Sequence, residues 1–167
     1  EFFNENKIKV AEPHHKIAQN KGLDINAGVA LAHARFCIMR GDVAKTHRKL
    51  INMALDFYAN LGYEEIYVPN IVNQETMFGT GQYPKFKDDL FKIGGDREMF
   101  LIPTGEVPLT NILRNANLAE KQAYGMFMTH TPCFRKEAGA HGKDTTGILR
   151  QHQFEKVELV KFCPADD

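Results

Sequence analysis

The sequence has no tryptophan, few cysteines and no excess of either charge, since 21 Lys and Arg residues balance 21 Asp and Glu residues. The three cysteines, Cys37, Cys133 and Cys163, are far apart and outside any Cys-x-x-Cys pattern. This spacing argues against a disulfide framework or a zinc site and favours a reducing, cytoplasmic setting. The balanced charge gives no support for non-specific binding of nucleic acid by the whole chain. No apolar run approaches the ~20 residues of a membrane span, so we expect no membrane association.

The common glycine-rich nucleotide loops are also missing from the sequence. There is no GxGxxG pattern after a predicted strand and no GxxxxGK[ST] pattern, which disfavours Rossmann and P-loop sites. A long helix is followed by short elements and hairpins rather than by repeated strand-helix-strand units. This order predicts an α+β fold with a mainly antiparallel sheet flanked by helices.

The clearest helix is predicted over residues 43–61, where apolar side chains recur at helical spacing. Asp42 is the expected N-cap, and Gly62 is the expected residue just beyond the C-terminus. Three methionines, Met53, Met126 and Met128, are expected to fill the core. The strand that follows begins near residue 65 and is interrupted by Pro69, which has no amide proton and therefore belongs at an edge, a bend or an interface.

Two long strands are predicted near the C-terminal end, over residues 125–137 and 148–162, and they flank a polar loop. We expect them to pair antiparallel. Arg135 and Glu137 then share a face of the first strand.

The second predicted strand carries Arg150, Phe154 and Glu158 on one face, ~13 Å apart from one to the next. Burying such charges without partners costs several kcal/mol each. The face is therefore either a solvated surface with cross-strand ion pairs or a surface that binds a charged ligand. Arginine suits a phosphate, an aromatic ring stacks on a nucleobase, and a carboxylate accepts hydrogen bonds from an amino group.

The spacing of these residues, FRKE, then a loop, then RxxxFxxxE, resembles motif 2 of the class II aminoacyl-tRNA synthetases. The segment GYEEIYVPNIV resembles their motif 1, with Pro69 as its characteristic proline. Four segments in the matching order resemble bacterial-type seryl-tRNA synthetases: ARFCIMRG, TGQYPKF, LIPTGEVPLTN and HTPCFRKEAGAHGKDTTGILRQHQFEKVE. The resemblance covers nearly all of residues 35–162. It implies a class II catalytic core that activates L-serine with ATP, transfers it to tRNA(Ser), and forms a homodimer through motif 1, where Pro69 lies.

The resemblance also implies roles for the residues of the hairpin. Arg135 is the expected catalytic residue, holding the α-phosphate of ATP and the carboxylate of serine. Glu137 accepts a hydrogen bond from the adenine amino group, and Phe154 stacks on the adenine ring. Arg150 is expected near the distal phosphates or in orienting the loop.

Serine is expected to bind through Thr104, Glu106 and Glu158, with Arg135 on its carboxylate. From the residues alone, Thr104 also suits a helix cap with Glu106 in the first turn, and Glu158 also suits a surface pair with Lys156 or Lys161. His141 and Lys143, in the loop, are expected either to contact the acceptor end of the tRNA or to be solvated.

The sequence departs from the family in what it does not contain. It has no heptad-patterned N-terminal arm for tRNA and no motif 3, and we expect the main Mg2+ ligand to lie outside this chain, with no metal site within it. We therefore interpret residues 1–25 as a linker and residues 26–167 as a partial catalytic domain, a fragment with weak activity or none alone. Two other functions stay open: an amino acid–carrier-protein ligase and a non-catalytic synthetase-like module.

Overall fold

The computed structural model of the protein describes residues 12–117, 125–139 and 147–164. The helices are short except for one. They are α1 His14–Gln19, α2 Ile25–Ala32, α3 Gly41–Asn60, α4 Gln74–Gly79 and α5 Glu106–Asn111, and a 3-10 turn spans Lys87–Asp89.

The strands form three small sheets. They are β1 Leu23–Asp24, β2 Ile38–Met39, β3 Glu64–Glu65, β4 Ile71–Asn73, β5 Lys92–Ile93, β6 Met99–Leu101, β7 Gly125–Phe134 and β8 Gln153–Phe162. The sheets have the orders β1-β2, β3-β7-β8 and β4-β6-β5. Among these pairings, only that of β3 with β7 is parallel. The predicted α+β fold with a mainly antiparallel sheet is confirmed.

Helix α3 begins slightly earlier than predicted. The amides of Val43 and Ala44 already donate to the carbonyl of Arg40, at 3.2 and 3.5 Å, so Asp42 lies in the first turn. The prediction of Asp42 as N-cap was wrong, although a carboxylate in the first turn still suits the positive end of the helix. Gly62 follows the last helical turn with φ of 90°, which confirms its predicted place.

The strands of the long hairpin are shorter than predicted. Strand β7 ends at Phe134 and β8 begins at Gln153, so Arg135, Glu137 and Arg150 lie beyond the paired region. The predicted boundaries at residues 137 and 148 were therefore wrong. The pairing ends early because the amide of Lys136 donates to the carbonyl of Asp89, a residue distant in the chain, and because Glu137 has φ of 52°, which no β-ladder accommodates.

Ile102, whose side chain is completely buried, joins the β4-β6-β5 sheet (the small sheet) to the β7–β8 hairpin. Its amide donates to the carbonyl of Asn70 at 3.0 Å, and its carbonyl accepts from the amide of Phe134 at 2.9 Å. The chain that follows Ile102 is thereby placed against the end of β7. The apolar cluster around this junction consists of Val72, Met77, Leu90, Phe100, Ile102 and Val107.

The methionines and the N-terminal segment show where sequence patterns reach their limit. Met128 is fully buried, as predicted, but Met53 is 62% exposed on α3, so its prediction as core filler was wrong. The described part of the predicted linker forms α1 and β1, and Leu23 within it is buried. The division at residue 25 stays a prediction. None of the helices in the described ranges combines the length and the apolar character that crossing a membrane requires.

Helix α2 packs closely on the chain before β2, and this contact generates a test. A Cβ at Gly28 would lie 2.4 Å from the carbonyl oxygen of Phe36 and 2.5 Å from Cα of Cys37. We expect Gly28→Ala to lower the free energy of unfolding by about 1–3 kcal/mol because backbone must move, despite a helix-propensity gain of up to about 1 kcal/mol. Urea denaturation measures the change.

The matched control is Gly94→Ala, where a Cβ would meet nothing within 4 Å. It should be neutral, or stabilising by about 0.4–1 kcal/mol through the unfolded chain. Equal denaturation midpoints for the two variants would contradict the close packing of α2.

Candidate active site

The pairing of β7 with β8 builds a face on which large polar and aromatic side chains of β8 lie opposite small, buried side chains of β7. Residues directly opposite each other in an antiparallel pair share a face. The structure therefore places Phe154 and Glu158 on one face, as predicted, with Lys156 between them. The opposing pairs are Thr129 with Glu158, Thr131 with Lys156 and Cys133 with Phe154.

The β7 residues on this face are small and completely enclosed. Thr129, Thr131 and Cys133 are at most 1% exposed, and burial raises the pKa of the Cys133 thiol, which keeps it protonated. Gly105 sits directly above them, since a Cβ there would lie 2.8 Å from Cγ2 of Thr129 and 3.2 Å from Oγ1 of Thr131. Glycine at this position lets the start of α5 approach the sheet closely.

Thr104, Lys156 and Glu158 form one contact cluster. The Thr104 hydroxyl donates to Oε2 of Glu158 at 2.5 Å. The Lys156 ammonium donates to Oγ1 of Thr104 at 3.0 Å and lies 2.5 Å from Oε2 of Glu158. Two of the predicted serine-binding residues are thus brought together, and their oxygens already hold an ammonium group.

This cluster also bears on the two structural alternatives raised by the sequence, a surface pair for Glu158 and a helix cap for Thr104. Glu158 does pair with Lys156, but at a site where the Glu158 side chain is only 16% exposed. Thr104 accepts from the amide of Glu106 at 3.4 Å, while the N-cap of α5 is Gly105. The carboxylate of Glu106 itself is exposed in the first turn.

Arg135 lies where the small sheet meets the hairpin. Its Nε donates to the carbonyl of Pro103 at 3.1 Å, and its guanidinium carbon is 5.2 Å from the centre of the Phe154 ring. This is a cation–π distance. The bond to Pro103 fixes the side chain just ahead of Thr104, so the predicted phosphate ligand lies beside both the aromatic residue and the Thr104 cluster.

Glu137 and Arg150 face each other across the open end of the hairpin. Nη1 of Arg150 is 2.9 Å from Oε2 of Glu137, and the Glu137 side chain is 13% exposed. Together with Arg135 they line two adjoining hollows of about 330 and about 480 Å³, within the usual range for small-molecule sites. The other lining residues are Gln82, Phe86, Asp89, Leu90 and Pro103 in the smaller hollow, and Ile148, Leu149, Gln151 and Phe154 in the larger one.

Comparison with known proteins agrees with this geometry. The family model for the "tRNA synthetase class II core domain (G, H, P, S and T)" matches residues 85–167. A serine–tRNA ligase of Teredinibacter turnerae is 54% identical over 143 residues, which are 85% of this chain and 34% of the relative. This chain belongs to the seryl-tRNA synthetase family of class II.

Solved structures of the same family have the same fold. A cytoplasmic serine–tRNA ligase of Naegleria fowleri in complex with AMP has a TM-score of 0.82 and 35% identity, over 87% of this chain and 34% of that one. The seryl-tRNA synthetase of Pyrococcus horikoshii complexed with ATP has a TM-score of 0.80 and 33% identity, over 86% and 32%. The chain thus spans about a third of the length of the relatives it matches.

One predicted site residue of this seryl-tRNA synthetase family member lies away from the hairpin face, and two others fall outside the part of the chain that the structure describes. Pro69 is exposed beyond β3. His141 and Lys143 lie outside the described residues. Within the described ranges, no group of three or more His, Cys, Asp or Glu side chains is placed to hold a metal ion.

Sequence reasoning missed several residues that shape the site. Lys156 was named only as a possible surface partner of Glu158, although strand alternation alone puts it between Phe154 and Glu158. Arg35 and Asp89 were not detectable: Nη1 of Arg35 donates to the carbonyl of Glu137 at 3.3 Å, and Oδ1 of Asp89 accepts from the amide of Ala138 at 2.7 Å. No local pattern relates positions so far apart in the chain.

Proposed function

We propose that this chain carries the serine-activating site of a serine–tRNA ligase. An oxygen of the serine carboxylate attacks the α-phosphorus of ATP, the bond from that phosphorus to the β-phosphate oxygen breaks, and pyrophosphate leaves. A ribose hydroxyl at the 3′ end of tRNA(Ser) then attacks the seryl carbonyl carbon, the bond from that carbon to the phosphate oxygen breaks, and AMP leaves. One observation carries the proposal. The motif 2 residues line two adjoining hollows, and beside them an oxygen of Thr104 and an oxygen of Glu158 bind the ammonium group of Lys156.

The ATP part of the site follows from the chemistry of its lining. Phe154 offers a ring for stacking on adenine, which is worth about 1–3 kcal/mol per base. Glu137 accepts from the adenine amino group. Arg135 places a permanent cation beside that ring, where it holds the α-phosphate and opposes the charge that develops on the phosphoryl oxygens. Arg150, at the open end, is assigned to the distal phosphates or to orienting the loop.

The serine part of the site lies on the other side of Arg135. Glu158 and Thr104 hold the ammonium and hydroxyl groups of serine, with Glu106 at the same helix start. Support comes from Lys156, whose ammonium is bound by both Thr104 and Glu158. A pocket that hydrogen-bonds a hydroxyl group discriminates against alanine, which leaves buried polar groups unpaired.

The comparisons support nucleotide binding more directly than they support a metal. The two related structures contain AMP and ATP. For Mg2+, the described residues do not fit, because they bring no cluster of metal-ligating side chains together. We therefore derive no step through Mg2+ and propose that its protein ligands lie outside the described residues.

The test of this function is serine-dependent exchange of pyrophosphate into ATP by the full-length protein. Arg135→Ala should lower kcat/KM by about 100-fold or more, because it removes the cation that stabilises the transition state. Lys136→Ala, the exposed neighbour, is the control and should stay near wild type. Exchange with alanine or glycine in place of serine would favour a carrier-protein ligase, and no exchange with any amino acid would favour a non-catalytic module.

A second test separates the serine pocket from the ATP pocket. Glu158→Gln keeps the size of the side chain and removes its charge, so we expect KM for serine to rise by about 10- to 100-fold through loss of a charge-assisted hydrogen bond. KM for ATP should change little. Glu155→Gln alters the opposite face of β8, where Glu155 meets His130, and should leave KM for serine unchanged. Equal effects of the two variants would contradict the assignment.

We also propose that the chain forms a homodimer through motif 1, including Pro69. Helix α3 exposes a stripe at positions i, i+3 and i+7, where Leu50, Met53 and Phe57 are 54%, 62% and 57% exposed. Such a contiguous apolar surface is typical of an interface. Exposed residues also follow α3 along the chain: Leu61, Tyr67, Pro69 and Ile71.

A charge within this stripe should break the dimer. We expect Phe57→Glu to convert a dimer to a monomer in sedimentation velocity, because two buried carboxylates would face an apolar partner. Asn52→Glu places the same charge on another exposed side of α3 and should leave the mass unchanged. A Phe57→Glu protein that sediments as the wild type does would contradict this interface.

Two further assignments rest on the family alone. We propose that residues 26–167 belong to a partial catalytic domain with 1–25 leading into it, and that His141 and Lys143 contact the acceptor end of tRNA(Ser). A cytoplasmic location agrees with the three free cysteines, Cys37, Cys133 and Cys163.

A further inference from the structure

Glu137 has a backbone conformation that is unusual for its residue type. Its φ is 52°, in the left-handed region that residues other than glycine rarely adopt. The conformation turns the chain out of the β7–β8 ladder and brings the carboxylate to 2.9 Å from Arg150. Such a conformation persists only where the surroundings hold it in place.

Asp89 supplies those surroundings from both sides of Glu137. Its carbonyl accepts from the amide of Lys136 at 2.9 Å, and its Oδ1 accepts from the amide of Ala138 at 2.7 Å. The carbonyl of Glu137 itself accepts from Arg35 at 3.3 Å. The residues before and after Glu137 are therefore both bonded to Asp89, and Glu137 is bonded to a third segment.

Asp89 is itself well anchored. It closes the 3-10 turn Lys87–Asp89, with its amide donating to the carbonyl of Phe86 at 2.9 Å. The next residue, Leu90, is 1% exposed in the apolar cluster. Asp89 also lines the smaller hollow together with Arg135 and Glu137. Because Asp89 is anchored next to the core, its carboxylate holds the neighbouring part of the nucleotide site in a fixed place relative to the core.

We propose that Asp89 is a positioning residue, which holds Glu137 in its left-handed conformation so that the Glu137 carboxylate meets the adenine amino group. The inference rests on the proposed function, because it assumes that Glu137 reads adenine. It assigns base selectivity in part to a residue outside motif 2.

The test compares ATP with inosine triphosphate, in which an oxygen replaces the adenine amino group, in serine-dependent pyrophosphate exchange. The wild type should favour ATP by about tenfold or more in kcat/KM, as expected for a hydrogen bond to a charged group. Asp89→Ala should lower this ratio by about 3- to 10-fold, with KM for serine unchanged. Asp89→Asn keeps an oxygen for the Ala138 amide and should restore most of the ratio.

The matched control is Asp88→Ala, because Asp88 is an exposed neighbour in the same turn. It should keep the wild-type ratio. In a Glu137→Ala background, Asp89→Ala should have no further effect on the ratio. An unchanged ratio in Asp89→Ala, or equal losses with both nucleotides together with a raised KM for serine, overturns the proposal.

Amide hydrogen exchange separates this proposal from the proposed function. The amide of Ala138 should exchange at least about tenfold more slowly than that of exposed Gly139, and Asp89→Ala should remove the difference. A wild type without serine-dependent exchange refutes the proposed function, while the Ala138 amide still decides whether Asp89 holds this segment. If Asp89→Ala does not fold, the wild type alone still tests the proposal. Exchange of the Ala138 amide as fast as that of the Gly139 amide in the wild type overturns it.

Discussion

The site depends on the junction where the chain after β6 crosses the end of β7. The amide of Phe134 donates to the carbonyl of Ile102. One residue further along each of these two segments, Nε of Arg135 donates to the carbonyl of Pro103. These two bonds set the distance between the Thr104 segment and the hairpin. The junction is rigid because Ile102 is fully buried within the apolar cluster. Thr104 and Glu158 belong to separate elements, and their side chains are in direct contact beside this junction.

Around this junction, the charged groups are arranged in mutually satisfying contacts. Lys156 neutralises Glu158, Arg150 meets Glu137, and Arg135 lies over Phe154. The arrangement offsets the free-energy cost of placing charges at partly buried positions, since each charge has a partner of opposite sign or an aromatic face. A ligand that carries an ammonium, an aromatic base and phosphates offers the same kinds of partner. The site is thus organised by contacts between its own residues, and a substrate replaces these contacts with equivalent ones of its own.

Sequence patterns predicted the elements whose signals are local. The α+β class, the long helix and the antiparallel hairpin followed from periodicity and turn residues, and the resemblance identified the family. The errors lie where the local pattern does not fix the exact end of a helix or the burial of a residue. Asp42 fell inside the first turn because the carbonyl of Arg40 already begins the helix. Met53 has the helical spacing of a core residue, yet it lies on the exposed stripe of α3.

The sequence by itself determined the chemical inventory of the candidate site, because arginine, phenylalanine and glutamate at motif spacing carry their chemistry wherever they lie. It also determined that Phe154, Lys156 and Glu158 share a face, since alternation along a strand is a property of the backbone. Only the tertiary structure decided which groups meet. Asp89 and Arg35 reach Glu137 from distant positions in the chain, and their contacts end the strand pairing early and turn Glu137 into a left-handed conformation. Such contacts depend on the path of the folded chain through space, which no local pattern of residues records.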